Sequence, residues 1–414
     1  MEQAPKLSPY RWVVLACVCG ICFMANYMQY QVSVWGMVVM ETLQIDVPEL
    51  QVLMLMPMLA AVFLGIPAGS LADRFGVKKV VAVALTIAVV AGFARALMLN
   101  SFVVQILSML GLGFGISALN ANMPKILGIW FKHKMTVAVG IFYAVSCVAM
   151  VMAQSVSTLF PDLFMTYIVA AFALLVICIC WYAFVRNHPA GEQLPSPEPI
   201  TKYLGVAVRS KNVWFIALVY ALTLSSTTGF STIFPTMMGI VRGYDMVLSG
   251  NLAALGTVGS FFACFVGPAF CQLTGKNKPF LAVTTVFGAI TMAMVWWVQL
   301  GPSLWALLAI SGFLTACSGP IIEAMTYQLP EIGAKYAGSA GGIVTTVGLA
   351  SSWALPILVT MVCGENFMAL VLVYASMYLL SLLFIALLPE TGTKGKAALE
   401  AAAEHEDFAE TPRI

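Results

Sequence analysis

The chain has 414 residues, of which 61% are hydrophobic and only 9% charged, with a mean hydropathy of +0.94. Soluble domains carry about 25% charged residues, so this composition excludes a soluble globular protein and places the chain in a bilayer. A formal net charge of +2 offers no basic surface for nucleic acid.

A run of about 20 apolar residues is enough to cross a bilayer. Such runs fall near 12–36, 50–72, 80–99, 102–126, 136–159, 164–186, 213–240, 247–273, 279–300, 303–326, 337–363 and 367–389. The first is too long for a signal peptide and continues as a span. The longest polar interruption, 187–212, contains Pro189, Pro195, Pro197 and Pro199 and divides the spans into two sets of six. The expected fold is all-α: twelve transmembrane helices in two pseudo-symmetric bundles. Residues 1–186 form the first bundle, 187–212 a cytoplasmic linker, 213–393 the second bundle, and 394–414 an acidic tail to which no function is assigned.

Polar residues inside spans are costly and face a cavity or a partner. Span 1 carries Asn26, Tyr27, Gln29, Tyr30, Gln31 and Ser33. Asn26, Tyr30 and Ser33 share one helix face, and Tyr27 and Gln31 the adjacent one. The stripe reads as cavity-lining, with interhelical hydrogen bonding as the alternative. Cys19 and Cys22, at i and i+3, raise a soft-metal site. No histidine is near in sequence, however, and all ten cysteines lie in apolar runs, where cysteine behaves as a small hydrophobe. No metal or cofactor is expected.

Span 2 begins at Gln51 and is followed by Gly69-Ser70-Leu71-Ala72-Asp73-Arg74-Phe75-Gly76-Val77-Lys78-Lys79. Small residues allow a tight turn, Asp73 can cap a helix or pair with an arginine, and Gly76 permits the turn. Arg95 ends span 3. Span 4 holds Asn120 and Asn122, with Lys125 near its inner end; span 5 holds Tyr143 and Gln154. Tyr220, Thr223 and Thr227 fall at i, i+3 and i+7 in span 7, and Trp353 lies in span 11. Each could line a cavity or equally serve packing. Glu323 is the one acid inside a span, and must carry its proton or find a cation. Lys125 is its pseudo-symmetric candidate partner, and Asn122 is its counterpart in the repeat. Protonation or gating, a structural gate pair, and snorkelling to the interface all remain open for it.

Lysine and arginine set orientation. With the N-terminus inside, 18 of the 20 basic residues fall on the inner side, leaving Arg95 and Arg242 outside. Both termini are therefore expected in the cytoplasm. The halves repeat at an offset of about 201 residues: Gly111 maps to Gly312, Gly140 to Gly341 and Pro67 to Pro268. Gly65 and Gly69, Gly111 and Gly115, and Gly338 and Gly342 are spaced for close helix approach.

The motif from Gly69 to Lys79 resembles the loop 2–3 signature of the major facilitator superfamily of secondary transporters. That resemblance implies two six-helix repeats with a substrate site at mid-membrane between them. In it, Gly69, Asp73, Arg74, Gly76 and Lys78 would act as a conformational motif. Gln29-Tyr30 with Gln51 resembles the oxalate/formate antiporter branch, whose tyrosine and glutamine line the substrate cavity. That branch places cations in spans 8 and 11, where this chain has none, and the span 2 and span 8 arginines of nitrate carriers are missing too. Leu329-Pro330-Glu331-Ile332-Gly333, followed by Lys335-Tyr336-Ala337-Gly338, resembles the loop 10–11 of cyanate and nitroimidazole permease-like members. Arg95 has a counterpart in many of them.

The expected protein is a transporter, not an enzyme. It would sit in the plasma membrane, as the inner membrane of a bacterium, and move a small carboxylate, zwitterion or neutral metabolite by alternating access. Symport with protons, exchange with a counter-solute (organic anions included) and facilitated diffusion are all compatible, and a monomer is expected. No Walker motif is present to couple ATP. All three histidines (His133, His188, His405) fall in cytoplasmic segments, and no nucleophile–base set is evident. Span 5 holds Gly140 but no proline, which weakens the alternative of amphipathic-drug efflux. A non-transporting sensor on the same fold is the alternative from another class.

Overall fold

The computed structural model describes residues 9–131, 135–188, 207–329, 332–392 and 394–395. The side chains of Ile66, Asp73, Thr136, Tyr327 and residues 333–339 are outside this set, as are most of the linker and tail and the Pro330-Glu331 pair. The described residues form helices and contain no strand.

The helices are α1 (Arg11–Val34), α2 (Gly36–Leu43), α3 (Val47–Phe75), α4 (Val77–Leu97), α5 (Phe102–Phe131), α6 (Met135–Ser155) and α7 (Leu163–Phe184) in the first half. The second half has α8 (Lys211–Arg242), α9 (Met246–Thr274), α10 (Lys278–Met294), α11 (Pro302–Ala316), α12 (Ser318–Gln328), α13 (Gly333–Cys363) and α14 (Phe367–Leu387). Eleven stretches among the described residues are long and apolar enough to cross a membrane. The twelfth expected span, α10, is shorter, at 17 residues. One expected span is also interrupted: span 10 breaks at Cys317, between α11 and α12. Span 1 ends where expected, and a further break at Trp35 separates α1 from the short α2.

Each break has its polar groups provided for, as a bilayer demands. The Trp35 amide donates to the Gln31 carbonyl, and its indole Nε1 donates to the Ser157 carbonyl at 3.1 Å. At the second break, Ser318 Oγ donates to the Thr315 carbonyl at 2.9 Å, and the buried Tyr378 hydroxyl reaches the same carbonyl at 3.0 Å. At the start of α3, the Asp46 carboxylate accepts from the Glu49 amide at 2.8 Å and the Glu49 carboxylate accepts from the Asp46 amide at 3.0 Å. This reciprocal cap fixes where the helix begins.

The chain forms two compact units. Unit 1 comprises Met1–Glu198, Gly229–Thr257 and Trp353–Phe367; unit 2 comprises Pro199–Thr228, Val258–Ser352 and Met368–Ile414. In unit 1, α5 packs against α3 and α4, and α1 packs against α5, α6 and α7. Glycines make the α5 contacts close. A Cβ at Gly111 would stand 2.7 Å from Ala91 Cβ, one at Gly115 3.0 Å from Ala88 Cβ, and one at Gly113 2.6 Å from Ala60 Cβ. The Gly65 and Gly69 pair does not behave this way: a Cβ at Gly65 would meet nothing, and one at Gly69 only Lys125 Nζ at 3.9 Å. In unit 2, Val213 and Ile216 of α8, Leu281 of α10, Ile321 and Met325 of α12, Val344 of α13 and Ile385 of α14 close one apolar core.

Candidate functional site

In unit 1, the expected polar stripe of α1 is more buried than its sequence suggests. Asn26 is half-buried and donates to the Cys22 carbonyl at 2.8 Å, while Tyr27 is buried and stacks on Phe23. Tyr30 is buried, and its carbonyl accepts from Ser33 Oγ at 2.7 Å. Gln29 contacts the Met54 carbonyl at 3.5 Å. Gln31 is fully buried, with neither its amide nitrogen nor its oxygen hydrogen-bonded. A buried amide left in this state costs on the order of 1–3 kcal/mol, so the Gln31 side chain has unused hydrogen-bonding capacity. Tyr143 on α6 is exposed and meets Phe142 edge-on; Asn120 on α5 is exposed.

Other expected substrate contacts are engaged within the protein. Gln51 is fully buried and donates to Thr232 Oγ1 at 2.9 Å. Thr236 Oγ1 donates to the Ser33 carbonyl at 3.0 Å, and Thr257 Oγ1 donates to Gln154 Oε1 at 2.9 Å. A Cβ on Gly250 would lie 2.1 Å from the Gln154 carbonyl oxygen. These contacts bind the ends of α1, α3 and α6 to the segment 229–257 within unit 1. Sequence reasoning passed over Thr232, Thr236 and Thr257. The signal for the first two was present, since hydroxyl residues recur along α8 from Thr223 to Thr236. Trp353 is half-buried, and its indole nitrogen is buried without a partner.

Three further residues, Arg95, Asn122 and Lys125, donate to backbone carbonyls within unit 1. Arg95 does not stand at a loop: it is 1% exposed, its guanidinium lies 3.6 Å from the Tyr167 ring centroid, and Nη1 donates to the Met28 carbonyl at 3.0 Å. The ring face and the carbonyl hold the cation inside the bundle, so it does not count among the outer loop charges. Asn122 donates to Ala68 and Ala118 carbonyls at 3.3 and 2.9 Å, and Lys125 Nζ donates to the Gly69 carbonyl at 3.0 Å. Both tie α5 to the C-terminal half of α3.

The turn between α3 and α4 shows why glycine stands at position 76. Its φ of +86° and ψ of 145° cap α3, and a Cβ there would lie 2.8 Å from the Asn187 side chain. Asn187 Oδ1 accepts the Lys78 amide at 2.8 Å, satisfying a donor in the first turn of α4. Arg74 is exposed over the Phe75 ring; the Asp73 side chain lies outside the described residues.

In unit 2, the structure brings Tyr220 and Glu323 together. The Tyr220 hydroxyl donates to Glu323 Oε1 at 3.4 Å, across 103 residues of sequence. Gly348 on α13 makes room for the ring, since a Cβ there would stand 2.3 Å from Tyr220 Cδ1. Glu323 is half-buried in α12, beside an apolar core. Thr223 is buried and Thr227 half-buried; their hydroxyls bond to the α8 backbone, at the Val219 and Thr223 carbonyls. The arrangement in unit 2 can therefore present a carboxyl and a phenol to a polar solute or a proton. Among the described residues, no three potential metal ligands cluster.

No curated protein matches the chain in sequence. Solved structures do match in shape. A bacterial homologue of the human lysosomal transporter Spinster, inward-facing and unoccupied, superposes with a TM-score of 0.70 at 14% identity, covering 92% of this chain and 95% of that one. The same homologue in an occupied inward-facing form gives 0.65 at 15% identity, covering 92% and 95%. An aspartate-to-alanine mutant of the nucleoside transporter NupG gives 0.74 at 15% identity, covering 90% and 99%. The model of the Major Facilitator Superfamily matches residues 15–356. The all-helical fold, the eleven apolar spans and this match make the chain a multi-pass membrane protein that belongs to the Major Facilitator Superfamily.

Proposed function

We propose that the protein moves a small polar solute, either a neutral metabolite, a zwitterion or a monocarboxylate, by alternating access. The observation that carries this reading is the half-buried Glu323 carboxyl, hydrogen-bonded to Tyr220 in a membrane-spanning unit. Ionisable groups inside spans mark solute or proton pathways. Among the described residues of the spans, the one buried cation, Arg95, already lies against Tyr167 and the Met28 carbonyl, so a dianion has little to pair with. Asn26, Tyr27, Tyr30, Gln31, Asn120, Tyr143 and Trp353 supply neutral hydrogen-bonding and aromatic surface. Nucleosides belong in the panel of test solutes because one structural neighbour carries them. In this reading the protein works as a monomer, with both termini in the cytoplasm of a bacterial cell.

The test is counterflow in proteoliposomes with monocarboxylates, amino acids, nucleosides, dicarboxylates and amphipathic drugs. Selective counterflow of one neutral, zwitterionic or monocarboxylate class is expected. Glu323→Gln should abolish accumulation driven by a pH gradient while leaving exchange intact, and Tyr220→Phe should weaken apparent affinity severalfold. Full accumulation by Glu323→Gln removes the coupling role. Preference for dianions, or for many unrelated amphipathic compounds, overturns the choice of solute class.

A further inference from the structure

A crevice of about 480 Å³ runs along the outer surface of α3, α4 and α5 within unit 1. Its floor is Ala68, Ala84 and Ala118, all buried; its rims are Leu71, Phe75, Val83 and Ile87, all at least two-fifths exposed. Small residues below and large exposed ones above make a slot that the protein's own side chains leave unfilled. Lys79 is the single charged residue in its wall, and it is exposed at the end beside the α3–α4 turn. Arg74 and Lys78 stand in the same turn, so the segment 73–79 carries three cations and one acid.

The slot's length fits one class of occupant. From Lys79 to Ile87 the helix rises about 12 Å, close to the ~15 Å depth of one leaflet of hydrocarbon. A chain lying in the slot with its polar end at Lys79 would therefore run from the membrane surface toward mid-bilayer. Basic residues at the membrane surface attract anionic headgroups, and basic pockets between spanning helices hold them. We propose that this crevice is a binding site for one anionic glycerophospholipid, with an acyl chain in the slot and the phosphate at Lys79. The lipid would bridge the last turns of α3 and the first turns of α4 on either side of Gly76. This does not depend on the solute that the protein moves.

Native mass spectrometry of the purified full chain, titrated with equal amounts of phosphatidylglycerol and phosphatidylcholine, tests the proposal. One phosphatidylglycerol should be retained with at least fivefold preference. Lys79→Gln should remove the preference without changing the circular dichroism melt. Ile87→Trp, which fills the slot, should remove the retained lipid altogether. Equal retention of both lipids by the unmodified chain overturns the headgroup assignment, and Lys79→Gln decides this even if the tryptophan variant fails to fold. A preference that survives both substitutions overturns the location. Retention of neither lipid overturns the site.

Discussion

Arg95 and Gly76 show how single residues are held in costly states. A guanidinium buried without an acid costs several kcal/mol unless its surroundings compensate. Here an aromatic face and one carbonyl do so, while Nε and Nη2 remain without hydrogen bonds. Lysine cannot reproduce the planar stack. Arg95→Lys should therefore lower the thermal stability, whereas Arg95→Met, which keeps the stem and removes the charge, should stay within about 1 kcal/mol of the parent. Detergent melting curves rank the two, and the opposite order would show that the charge itself is needed for folding. Gly76 occupies a backbone region that is essentially closed to other residues. Gly76→Ala should cost about 1–3 kcal/mol and displace Asn187 from the Lys78 amide, which a drop in melting temperature together with higher proteolysis of the 74–79 turn would report. The role of Gly76 was legible, because glycine between two apolar runs beside charges marks a turn. The burial of Arg95 was not. A cation at the end of an apolar run looks like a loop residue, and the ring that accommodates it lies on α7, 72 residues away.

The helices themselves were largely readable, because about 20 apolar residues record the thickness of the bilayer. Their interruptions were less so. At the second, Pro320 withholds an amide from the Ala316 carbonyl, a signal overlooked within a long apolar run; Trp35 does not break helices by its own propensity, and both breaks are tolerated because distant groups satisfy the backbone there. Tyr378 on α14 does this at Thr315. Tyr378→Phe should cost about 1–2 kcal/mol and loosen α12 selectively, seen as faster hydrogen exchange at residues 315–320. Unchanged exchange would mean that Ser318 alone suffices. Glycine spacing predicted the α4–α5 contact at Gly111 and Gly115 but also suggested one at Gly65 that does not exist. Spacing identifies a groove on one helix; only the partner decides whether it is used. Gly113, which no spacing rule selected, is tightly packed, with Pro57 Cα 2.7 Å from its would-be Cβ. Gly113→Ala should destabilise by about 1–3 kcal/mol.

For the molecule as a whole, the superfamily was legible from one eleven-residue motif and the count of apolar runs, and the candidate site only residue by residue. Tyr220 and Glu323 could be named singly, but their pairing depends on α8, α12 and α13 meeting. The contacts of Ser33, Gln51 and Gln154 with the segment 229–257 were also out of reach, since each spans more than 100 residues of sequence. If alternating access moves the segment 229–257 against α1, α3 and α6, these contacts part in the opposite state. In a background with its native cysteines replaced, a cysteine at Ser33 should be poorly labelled by an impermeant maleimide. Gln51→Leu combined with Thr257→Val should raise that labelling severalfold, and no change would mean that packing alone holds this end together. All three contacts are hydrogen bonds between uncharged groups, formed from amides, hydroxyls and a carbonyl. Debye screening has no charge to act on there, so this end of the protein should open and close with the same ease in dilute buffer and in molar salt.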